Sequence, residues 1–262
     1  MTGKAGKIEV DGVAKVFGDP QRGFRAIDKV DLTIADGEFI CIVGPSGCGK
    51  STLIRMFAGL EHPSEGQIRI AHDNPDRPVT AMIFQQESAF PWLTVADNAA
   101  YGLRASGTWK GAESQERVDY FLQKTGLYSF RDFRPDQLSG GMKQRLSIAR
   151  AFATNPEVLL MDEPFAALDE QNKLIMQEEL ATLWEEFRST VVFITHDLDE
   201  ALNIGDRIVL LTRKPTTVQR IIELDQQRPR DLNDPELDRI RADLHATIGT
   251  DAEDDPGVAS SK

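Results

Sequence analysis

The 262-residue sequence contains few cysteines and no long apolar segment. Its two cysteines, Cys41 and Cys48, are too few for a disulfide framework, which predicts a reducing compartment. The longest uninterrupted apolar runs, such as residues 39–43, 158–161 and 191–194, are short. A membrane-spanning helix, in contrast, needs about 20 apolar residues. The N-terminus lacks the apolar core of a signal peptide. We therefore expect a cytosolic chain that does not cross a membrane by itself.

Basic residues are also few relative to acidic ones. The sequence has 30 Lys and Arg against 42 Asp and Glu, a formal net charge of −12. This balance disfavours a general binder of nucleic acid or of anionic membranes, because such proteins normally present a basic face. A local basic patch remains compatible with it. Hydrophobic residues at 40% and charged residues at 27% are typical of a globular protein with a sizeable core.

Periodic apolar patterns predict an α/β core. Val30, Leu32 and Ile34 alternate with polar neighbours, as in a half-buried strand. Uninterrupted apolar runs predict strands that are buried on both faces. Because helical patterns separate several of these strands, the sheet should be largely parallel. The predicted buried strands are residues 39–43, 79–84, 158–161, 191–194 and 208–211, and a helix is predicted over residues 51–58.

Two regions depart from this pattern. Residues from about 87 to 150 show helical periodicity without strand patterns, and predict a helical subdomain inserted into the core. Residues 231–262 carry nine acidic and three basic residues, and predict one amphipathic helix before a disordered tail. The predicted domains are therefore 1–230, with its insertion, and 231–262. Helices are predicted at residues 97–104, 113–124 and 142–153 and around Leu237, Ile240, Leu244 and Ile248, with the tail at 251–262.

Residues 44–51, GPSGCGKS, fit the pattern G-x-x-x-x-G-K-[ST] between a strand and a helix. Glycines let successive backbone N–H groups point at phosphate oxygens, and the helix start adds its positive end. Lys50 can reach the β and γ phosphates, and the Ser51 hydroxyl can join a Mg²⁺ shell. Chance would produce the pattern in roughly one chain in a hundred of this length, so we expect a nucleotide triphosphate site. The candidate ATP-binding residues are Gly44, Pro45, Ser46, Gly47, Cys48, Gly49, Lys50, Ser51 and Thr52.

Polar side chains follow three of the predicted strands, at the edge where open α/β sheets bind ligands. Asp162 and Glu163 follow the run VLLM. Asp162 is a candidate Mg²⁺ ligand, and Glu163 is a candidate base for the water that attacks the γ-phosphate. Gln85 and His196 follow two other strands and are expected at the same edge. The alternatives are solvated loop carboxylates and a structural histidine.

A second helix start is suited to anions. In LSGGMKQRL, residues 138–146, Ser139 can cap the following helix, and Gly140 and Gly141 expose backbone N–H groups at its positive end. An ordinary capped helix would have the same chemistry. A second anion-binding helix start beside a nucleotide site can instead serve the nucleotide of another copy in a symmetric dimer.

In their order along the chain, these residues resemble the ATP-binding subunit of an ABC transporter over roughly residues 7–225. LSGGM at 138–142 is far more specific to that family than the phosphate loop. FPWLTVADN at 90–98, the methionine of LSGGM and RPR at 228–230 are similar to ATPases of nitrate, sulfonate, taurine and related importers. The matching elements are Phe17, residues 44–51, Gln85, residues 138–142, LLMDEP at 159–164, Ala167-Leu168-Asp169 and His196.

This resemblance implies a P-loop NTPase (RecA-like) α/β core with an N-terminal antiparallel β region and an inserted α-helical subdomain. It further implies two copies that sandwich two ATP molecules, with Mg²⁺, head to tail. Phe17 would stack on adenine, with Phe24 as a rival. Ser139, Gly140 and Gly141 would contact the γ-phosphate bound to the opposite copy, and Asp169 would help couple the two sites. Glu163 would be the base, with Gln85 also in the catalytic group, and His196 would steady the γ-phosphate. Ser51, Gln85 and Asp162 would lie at Mg²⁺.

A transporter built on this chain would need separate permease subunits. The expected docking surface is the apolar loop near Phe90–Tyr101, within Gln85–Tyr101; the alternative is packing of this loop inside the helical insertion. By resemblance we expect an importer of small anions such as nitrate, sulfonates or taurine, with an extracytoplasmic solute-binding protein. The chain would then lie on the cytoplasmic side of the inner or plasma membrane, held there by the permease.

Other functions remain open at this point. The main alternative is a soluble ABC-type ATPase that acts on nucleic acid or the ribosome, although two cassettes in one chain or a long coiled-coil insertion would be usual there. No nucleic-acid partner is expected from the acidic balance. A small-molecule kinase has no natural place for LSGGM or Glu163, and a module that holds ATP without cleaving it would be indifferent to Glu163→Gln.

Overall fold

The computed structural model describes residues 6–19, 23–86, 88–166 and 168–253, without the side chains of residues 249–253. These residues divide into two compact units. The first unit contains residues 6–7, 35–38 and 70–193, and the second contains residues 8–34, 39–69 and 194–253. The elements are β1 (Ile8–Phe17), β2 (Phe24–Ile34), β3 (Phe39–Val43), α1 (Lys50–Phe57), β4 (Glu65–Ile70), β5 (Thr80–Ile83), α2 (Val95–Ala105), α3 (Ala112–Lys124), α4 (Gly140–Ala153), β6 (Val158–Asp162), α5 (Glu170–Phe187), β7 (Thr190–Ile194), α6 (Leu198–Ile204), β8 (Arg207–Leu211), β9 (Val218–Glu223) and α7 (Pro235–Glu253).

The first unit holds a parallel strand pair and a group of helices. β5 and β6 pair in parallel with Ile83 opposite Met161, and β7 is the next strand after β6. Helices α2, α3 and α4 pack on one another. An aromatic cluster lies beneath them, in which the ring centroid of Phe121 is 5.9 Å from that of Phe152 and 5.1 Å from that of Phe187. This aromatic cluster therefore joins residues of α3, α4 and α5 in one core of the unit.

The second unit holds two sheets of different character. β1 and β2 pair antiparallel, and the sheet has the order β2-β1-β4. β3 pairs in parallel with β8, and β8 pairs antiparallel with β9. All five residues of β3 are buried, as expected of a continuous apolar run covered on both faces. Helix α7 is anchored by the fully buried side chains of Leu237 and Leu244.

The sequence predictions of secondary structure are confirmed where apolar patterns were strong. The buried strands and the first helix lie within one or two residues of their predicted bounds, and α2, α3 and α4 match the three helices predicted for the insertion. In β2 the residues Val30, Leu32 and Ile34 are buried and their neighbours Asp31 and Thr33 are exposed, which confirms the alternation. No strand lies among the described residues between β5 and β6. None of the described helices has the length and apolar content needed to cross a membrane.

Other boundaries differ from the predictions. The strands β4 and β9 and the helices α5 and α6 were not predicted individually. α7 ends at Glu253, so the disordered tail predicted from residue 251 was wrong for its first three residues, and residues 254–262 lie outside the described part. The first unit takes in residues 70–193, a longer segment than the predicted insertion 87–150, whose first residue also lies outside the described part. The predicted domain boundaries at 87–150 and 230 stay predictions.

A buried ion pair anchors the start of β6 in the first unit. Lys7 donates a hydrogen bond to the carboxylate of Glu157, and both side chains are 3% exposed. The Glu157 carboxylate also accepts the backbone N–H groups of Asp73 at 3.1 Å and Asn74 at 2.6 Å. Burial acts to raise the pKa of Glu157, but these hydrogen bonds and the Lys7 charge outweigh it and hold the pKa at about 2.

We expect Glu157→Gln to lower the free energy of unfolding by about 3 kcal/mol near pH 7, because it removes the buried charge partner of the Lys7 ammonium and leaves only the exposed carboxylate of Asp73 beside it. The folded pKa lies below the unfolded value of about 4.3, so the carboxylate stabilises the protein above pH 4.3 and loses this effect as pH falls towards 2. Urea unfolding should therefore show a deficit that shrinks between about pH 5 and pH 2. The exposed Glu185→Gln is the matched control, and equal deficits at all pH values would contradict the assignment.

Candidate functional site

The glycine-rich loop between β3 and α1 has a backbone that glycine alone adopts easily. Gly47 and Gly49 have φ of +72° and +113°, in the region that L-residues with a side chain rarely occupy. A Cβ at Gly44 would lie 3.0 Å from the Leu211 carbonyl oxygen, so the loop also passes close to β8 there. The loop therefore has the tight, inward-turned form that a phosphate cradle requires.

Lys50, the first residue of α1, is folded over this loop. Its side chain is 4% exposed, and Nζ donates hydrogen bonds to the carbonyl oxygens of Gly44 at 2.8 Å and Pro45 at 3.1 Å. An ammonium group held over a helix start combines two positive contributions at one place. The residues present thus fit a polyphosphate ligand, as the sequence pattern predicted.

Cys41 and Cys48, both in the second unit, are buried. The Cys48 side chain lies inside the cradle and Cys41 lies in the fully buried strand β3. Burial raises the pKa of both thiols, so they are protonated at neutral pH. The hydroxyl of Thr216 donates a hydrogen bond to the Cys48 carbonyl, which ties the loop to the segment before β9. Thr216 had no recognisable signal in the sequence.

Two exposed aromatic rings end β1 and begin β2. Phe17 and Phe24 lie opposite each other in the antiparallel register and are 41% and 53% exposed. The Lys15 ammonium lies 5.1 Å from the Phe17 ring centroid, and the Lys214 ammonium lies 4.9 Å from the Phe24 ring centroid. Both rings can offer a face to a planar base, so exposure alone does not choose between the two predicted candidates.

His196 lies in a tightly bonded turn of the second unit. The buried Thr195 donates a hydrogen bond to Oε2 of Glu200 at 2.6 Å, and its Oγ1 accepts the backbone N–H of Asp197 at 2.9 Å. Asp197 in turn caps the start of α6, with Oδ1 accepting the N–H of Asp199 at 2.9 Å. The His196 side chain is exposed, so the turn presents it outward on a rigid support.

In the first unit the structure brings Gln85 and Glu163 together. Nε2 of Gln85 donates a hydrogen bond to Oε2 of Glu163 at 3.2 Å. The β5–β6 register explains the contact, because Gln85 and Glu163 each lie two residues beyond the paired residues Ile83 and Met161. The two side chains therefore meet at the carboxyl edge of the strands, where the sequence placed them.

The acidic residues at this edge differ in environment. Asp162 is the last residue of β6 and is 4% exposed. Glu163 has a φ of +45°, a left-handed conformation that costs a non-glycine residue energy and is concentrated at functional sites. Among the residues that the structure describes, no group of three or more His, Cys, Asp or Glu side chains could hold a metal. The donor set fits Mg²⁺ held by one or two carboxylates together with phosphate oxygens.

Residues 139–142 of LSGGM, here called the signature segment, line one cavity of about 500 Å³ in the first unit together with Asp169. Ser139 caps α4, its Oγ accepting the backbone N–H of Met142 at 3.3 Å. Asp169 caps α5 in the same way, accepting the N–H of Asn172 at 3.0 Å, and this hydrogen bond is the main cause of its lowered pKa. Two helix N-termini thus open towards one space. The predicted Ser139, Gly140, Gly141 and Asp169 lie together there; Ala167 lies outside the described residues.

The apolar loop before α2 is held by a buried asparagine that the sequence analysis missed. Asn98 is fully buried, accepts the backbone N–H of Phe90 at 2.7 Å and donates to the carbonyls of Phe90, Leu93 and Thr94. Arg150, near the end of α4, donates to the Ser88 carbonyl at 2.8 Å, and burial lowers its pKa. Asn98 ends the segment FPWLTVADN, but no local pattern indicates that Asn98 or Arg150 bonds to this loop.

The same loop presents an exposed tryptophan. The Trp92 side chain is 67% exposed, although its ring centroid lies 5.6 Å from that of Phe90. The Phe90 centroid lies in turn 4.2 Å from that of Tyr101, with the two rings tilted by 43°. Phe90 and Leu93 are half-buried. The loop therefore contacts the helices through Phe90 and offers Trp92 outward, so only part of it packs inside the helical region.

A strand–glycine loop–helix cradle with a buried lysine, in an α/β chain with paired strand-end carboxylates, defines a P-loop nucleotide triphosphatase. The model of the family described as ABC transporter matches residues 27–166. The chain belongs to the ABC transporter family, and it is an ABC ATPase. The fold expectation of a P-loop NTPase core of the ABC cassette type is thereby confirmed.

Relatives and solved structures agree with this assignment. The nitrate import ATP-binding protein NrtD of Synechococcus elongatus is 42% identical over 253 residues, 92% of this chain and 91% of that protein. The bicarbonate transport ATP-binding protein CmpD of Synechocystis sp. is 41% identical over 245 residues, 89% of this chain and 86% of that protein. Both comparisons extend well beyond the segment that the family model matches.

Two solved structures of one bacterial cassette, MJ0796, share the fold. A dimeric bacterial ABC transporter cassette superposes with a TM-score of 0.73 at 34% identity, covering 84% of this chain and all of that chain. A dimeric cassette in a post-hydrolysis state, bound to ADP and Pi, superposes with a TM-score of 0.73 at 33% identity and the same coverage. These structures were captured as dimers, and one of them held the products of hydrolysis.

Alanine substitutions can decide which exposed ring stacks on adenine. If Phe17 is that ring, Phe17→Ala should weaken ATP binding about tenfold or more, since stacking of a base on an aromatic side chain contributes about 1–3 kcal/mol. The cross-strand neighbour supplies the matched variant, and Phe24→Ala should change ATP affinity less than threefold. Titration with a fluorescent ATP analogue measures both. The reverse order of effects would assign adenine to Phe24.

Proposed function

We propose that this chain is the ATP-hydrolysing subunit of an importer of a small anion such as nitrate, a sulfonate or taurine. The similarity to nitrate and bicarbonate transport ATPases over about nine-tenths of the chain supports this class of cargo, because both of those solutes are small oxyanions. Separate permease subunits would form the membrane path, and an extracytoplasmic protein would deliver the solute. The chain would bind the permease on the cytoplasmic side of the inner or plasma membrane.

ATP would bind through the glycine-rich loop. Backbone N–H groups within residues 44–52, of which Pro45 has none, would contact the phosphates, and Lys50 would leave its two carbonyl partners to neutralise them. Phe17 would stack on the base. Ser51, Gln85 and Asp162 would hold Mg²⁺, which supplies charge neutralisation on the phosphates when bound. In this scheme the loop glycines allow the close backbone approach that the phosphates need.

The hydrogen bond between Gln85 and Glu163 is the observation that carries the catalytic proposal. It places an amide that can sense a metal or water next to a carboxylate that can accept a proton. Glu163 would take a proton from the attacking water, and the left-handed backbone at this residue would aim the carboxylate. His196 would steady the γ-phosphate as charge develops on it.

A second copy would complete each site. Ser139, Gly140 and Gly141 would contact the γ-phosphate held by the opposite copy, and Asp169 would couple the two sites. The shared cavity supports this role, because two helix N-termini open into it and attract anionic groups. The dimeric state of the two superposed structures also supports it. ATP would then close the dimer, and hydrolysis would release it.

Replacement of the proposed base should separate ATP binding from hydrolysis. Glu163→Gln should reduce ATPase turnover at least about 100-fold, since it removes the proton acceptor, and should accumulate ATP-bound dimers detectable by light scattering after gel filtration. The exposed Glu178→Gln on α5 makes the same chemical change away from the site and should retain turnover.

The dimer that forms in Glu163→Gln also tests the signature segment. Addition of Ser139→Arg to that variant should abolish the ATP-dependent dimer, because the long side chain would occupy the space of the opposite phosphate. A dimer that persists in the double variant, or undiminished turnover in Glu163→Gln, would contradict the two-copy scheme.

If Trp92 lies in the permease-docking surface, its loss should weaken assembly with the permease without affecting nucleotide binding. Trp92→Ala should reduce copurification with the permease subunits at least about tenfold, as expected when a central aromatic anchor is lost, and should leave ATP affinity of the isolated chain unchanged. Leu60 is also exposed, at 61%, and Leu60→Ala serves as the control for loss of a surface apolar side chain. A collapse of ATP binding in Trp92→Ala would identify the loop as core.

A further inference from the structure

The RPR sequence at 228–230 turns back onto the end of helix α6. The Arg230 guanidinium donates hydrogen bonds to the carbonyl oxygens of Leu202 at 2.9 Å and Gly205 at 2.6 Å, and to that of Gln226 at 2.9 Å. Burial lowers the pKa of Arg230 to about 10, which leaves it cationic at neutral pH. The last carbonyls of a helix have no partner within the helix, so Arg230 supplies the missing donors and a favourable charge.

Arg228 holds the same helix end from a second direction. Its Nε and Nη2 donate to the Ile204 carbonyl at 3.0 Å and 2.6 Å, and Nη2 also donates to Oδ1 of Asp206 at 2.7 Å. Asp206 is itself fixed, because its Oδ2 accepts the backbone N–H of Phe39 at 2.8 Å. The C-terminal end of α6 is therefore joined to strand β3 through a chain of charged hydrogen bonds.

The N-terminal end of α6 is held by the C-terminal helix. Nε of Arg241, on α7, donates to Oδ1 of Asp199 at 2.6 Å, and its Nη2 donates to the Leu232 carbonyl at 2.9 Å. Arg241 also pairs with Asp238 on its own helix. Asp199 is the second residue of α6. The same region of the chain thus contacts both ends of a seven-residue helix.

The turn that carries His196 is continuous with this helix. Asp197 caps α6, and Glu200, in the first turn of α6, accepts the hydrogen bond from Thr195. A displacement of α6 would move Asp197 and Glu200, the two hydrogen-bond partners of Thr195, and His196 lies between Thr195 and Asp197 in the chain. A seven-residue helix held at its two ends therefore sets the position of the His196 backbone.

We infer that Arg230, together with Arg228 and Arg241, positions the His196 turn, so that the segment 228–241 acts as a brace for catalysis. This inference rests on the proposed role of His196 in ATP hydrolysis. The arginines contact no reacting atom; they act through α6. The brace should affect the rate of the chemical step more than the binding of ATP, because Phe17 and the glycine-rich loop lie on other elements of the unit.

The test compares kcat and KM for ATP in the full-length chain. Arg230→Gln should lower kcat about tenfold and change KM less than twofold, and Arg230→Lys, which keeps the charge but not the planar set of donors, should fall in between. Arg241→Gln should lower kcat about threefold and Arg241→Lys should recover most of it. Arg239→Gln, an exposed neighbour on α7, is the matched control and should retain wild-type kcat.

A double-mutant cycle distinguishes positioning from a general structural role. In a His196→Ala background, Arg230→Gln should cause less than a twofold further loss, because the side chain that it positions is absent. Hydrogen exchange should be faster at residues 195–200 in Arg230→Gln and unchanged at residues 47–51. If Arg230→Gln does not fold, Arg241→Gln carries the same cycle.

The outcomes separate two failures. A tenfold loss that is repeated in full in the His196→Ala background, or a rise in KM with unchanged kcat, would overturn the brace and leave the proposed function in place. Wild-type turnover in His196→Ala alone would overturn the role of His196 in the proposed function, and the brace with it.

Discussion

The parallel pairing of β5 with β6 is the constraint on which the contact between Gln85 and Glu163 in the first unit depends. Because Ile83 lies opposite Met161, the residues that follow the two strands lie at equivalent positions along the edge of the sheet. Gln85 can therefore donate its hydrogen bond to Glu163. A slip of one residue would turn each side chain to the other face. The buried apolar runs that hold this register therefore also place the polar pair.

Each unit presents helix starts suited to negative charge. In the second unit α1 begins at Lys50 after the glycine-rich loop; in the first, Ser139 caps α4 and Asp169 caps α5. Each N-terminus exposes backbone donors and a partial positive charge, which suits a ligand as anionic as a nucleotide triphosphate. The net charge of −12 makes such local positive sites necessary, since the protein as a whole repels anions.

The C-terminal region takes part in this arrangement more closely than its acidic composition suggests. Its arginines contact both ends of α6, and two leucines of α7 are fully buried. Arginine suits this role because its planar group offers several fixed donors to carbonyl oxygens at once. The segment 228–241 is thus bonded to α6, the helix that follows the turn carrying His196.

Several features could be predicted from the sequence. The phosphate loop, the strand-end residues Gln85 and Glu163 and the helix cap at Ser139 are local: a glycine, a cap or an apolar run has its effect within a few residues of itself. The buried strands were predicted for the same reason, since burial on both faces demands an unbroken apolar run. The family followed from the order of these local features.

Other features needed the tertiary structure. The strands β4 and β9 are largely exposed, so their pairing relies on backbone hydrogen bonds that leave no apolar pattern. Asn98 and the two arginines of RPR bond to backbone carbonyls, and a carbonyl has no side chain to mark it. The sequence by itself determined the chemistry of the phosphate loop and the strand ends, because that chemistry resides in residue types. Only folding decided which distant segments hold those residues in place. These segments bond to backbone atoms, which every residue has, so no residue type indicates the contact.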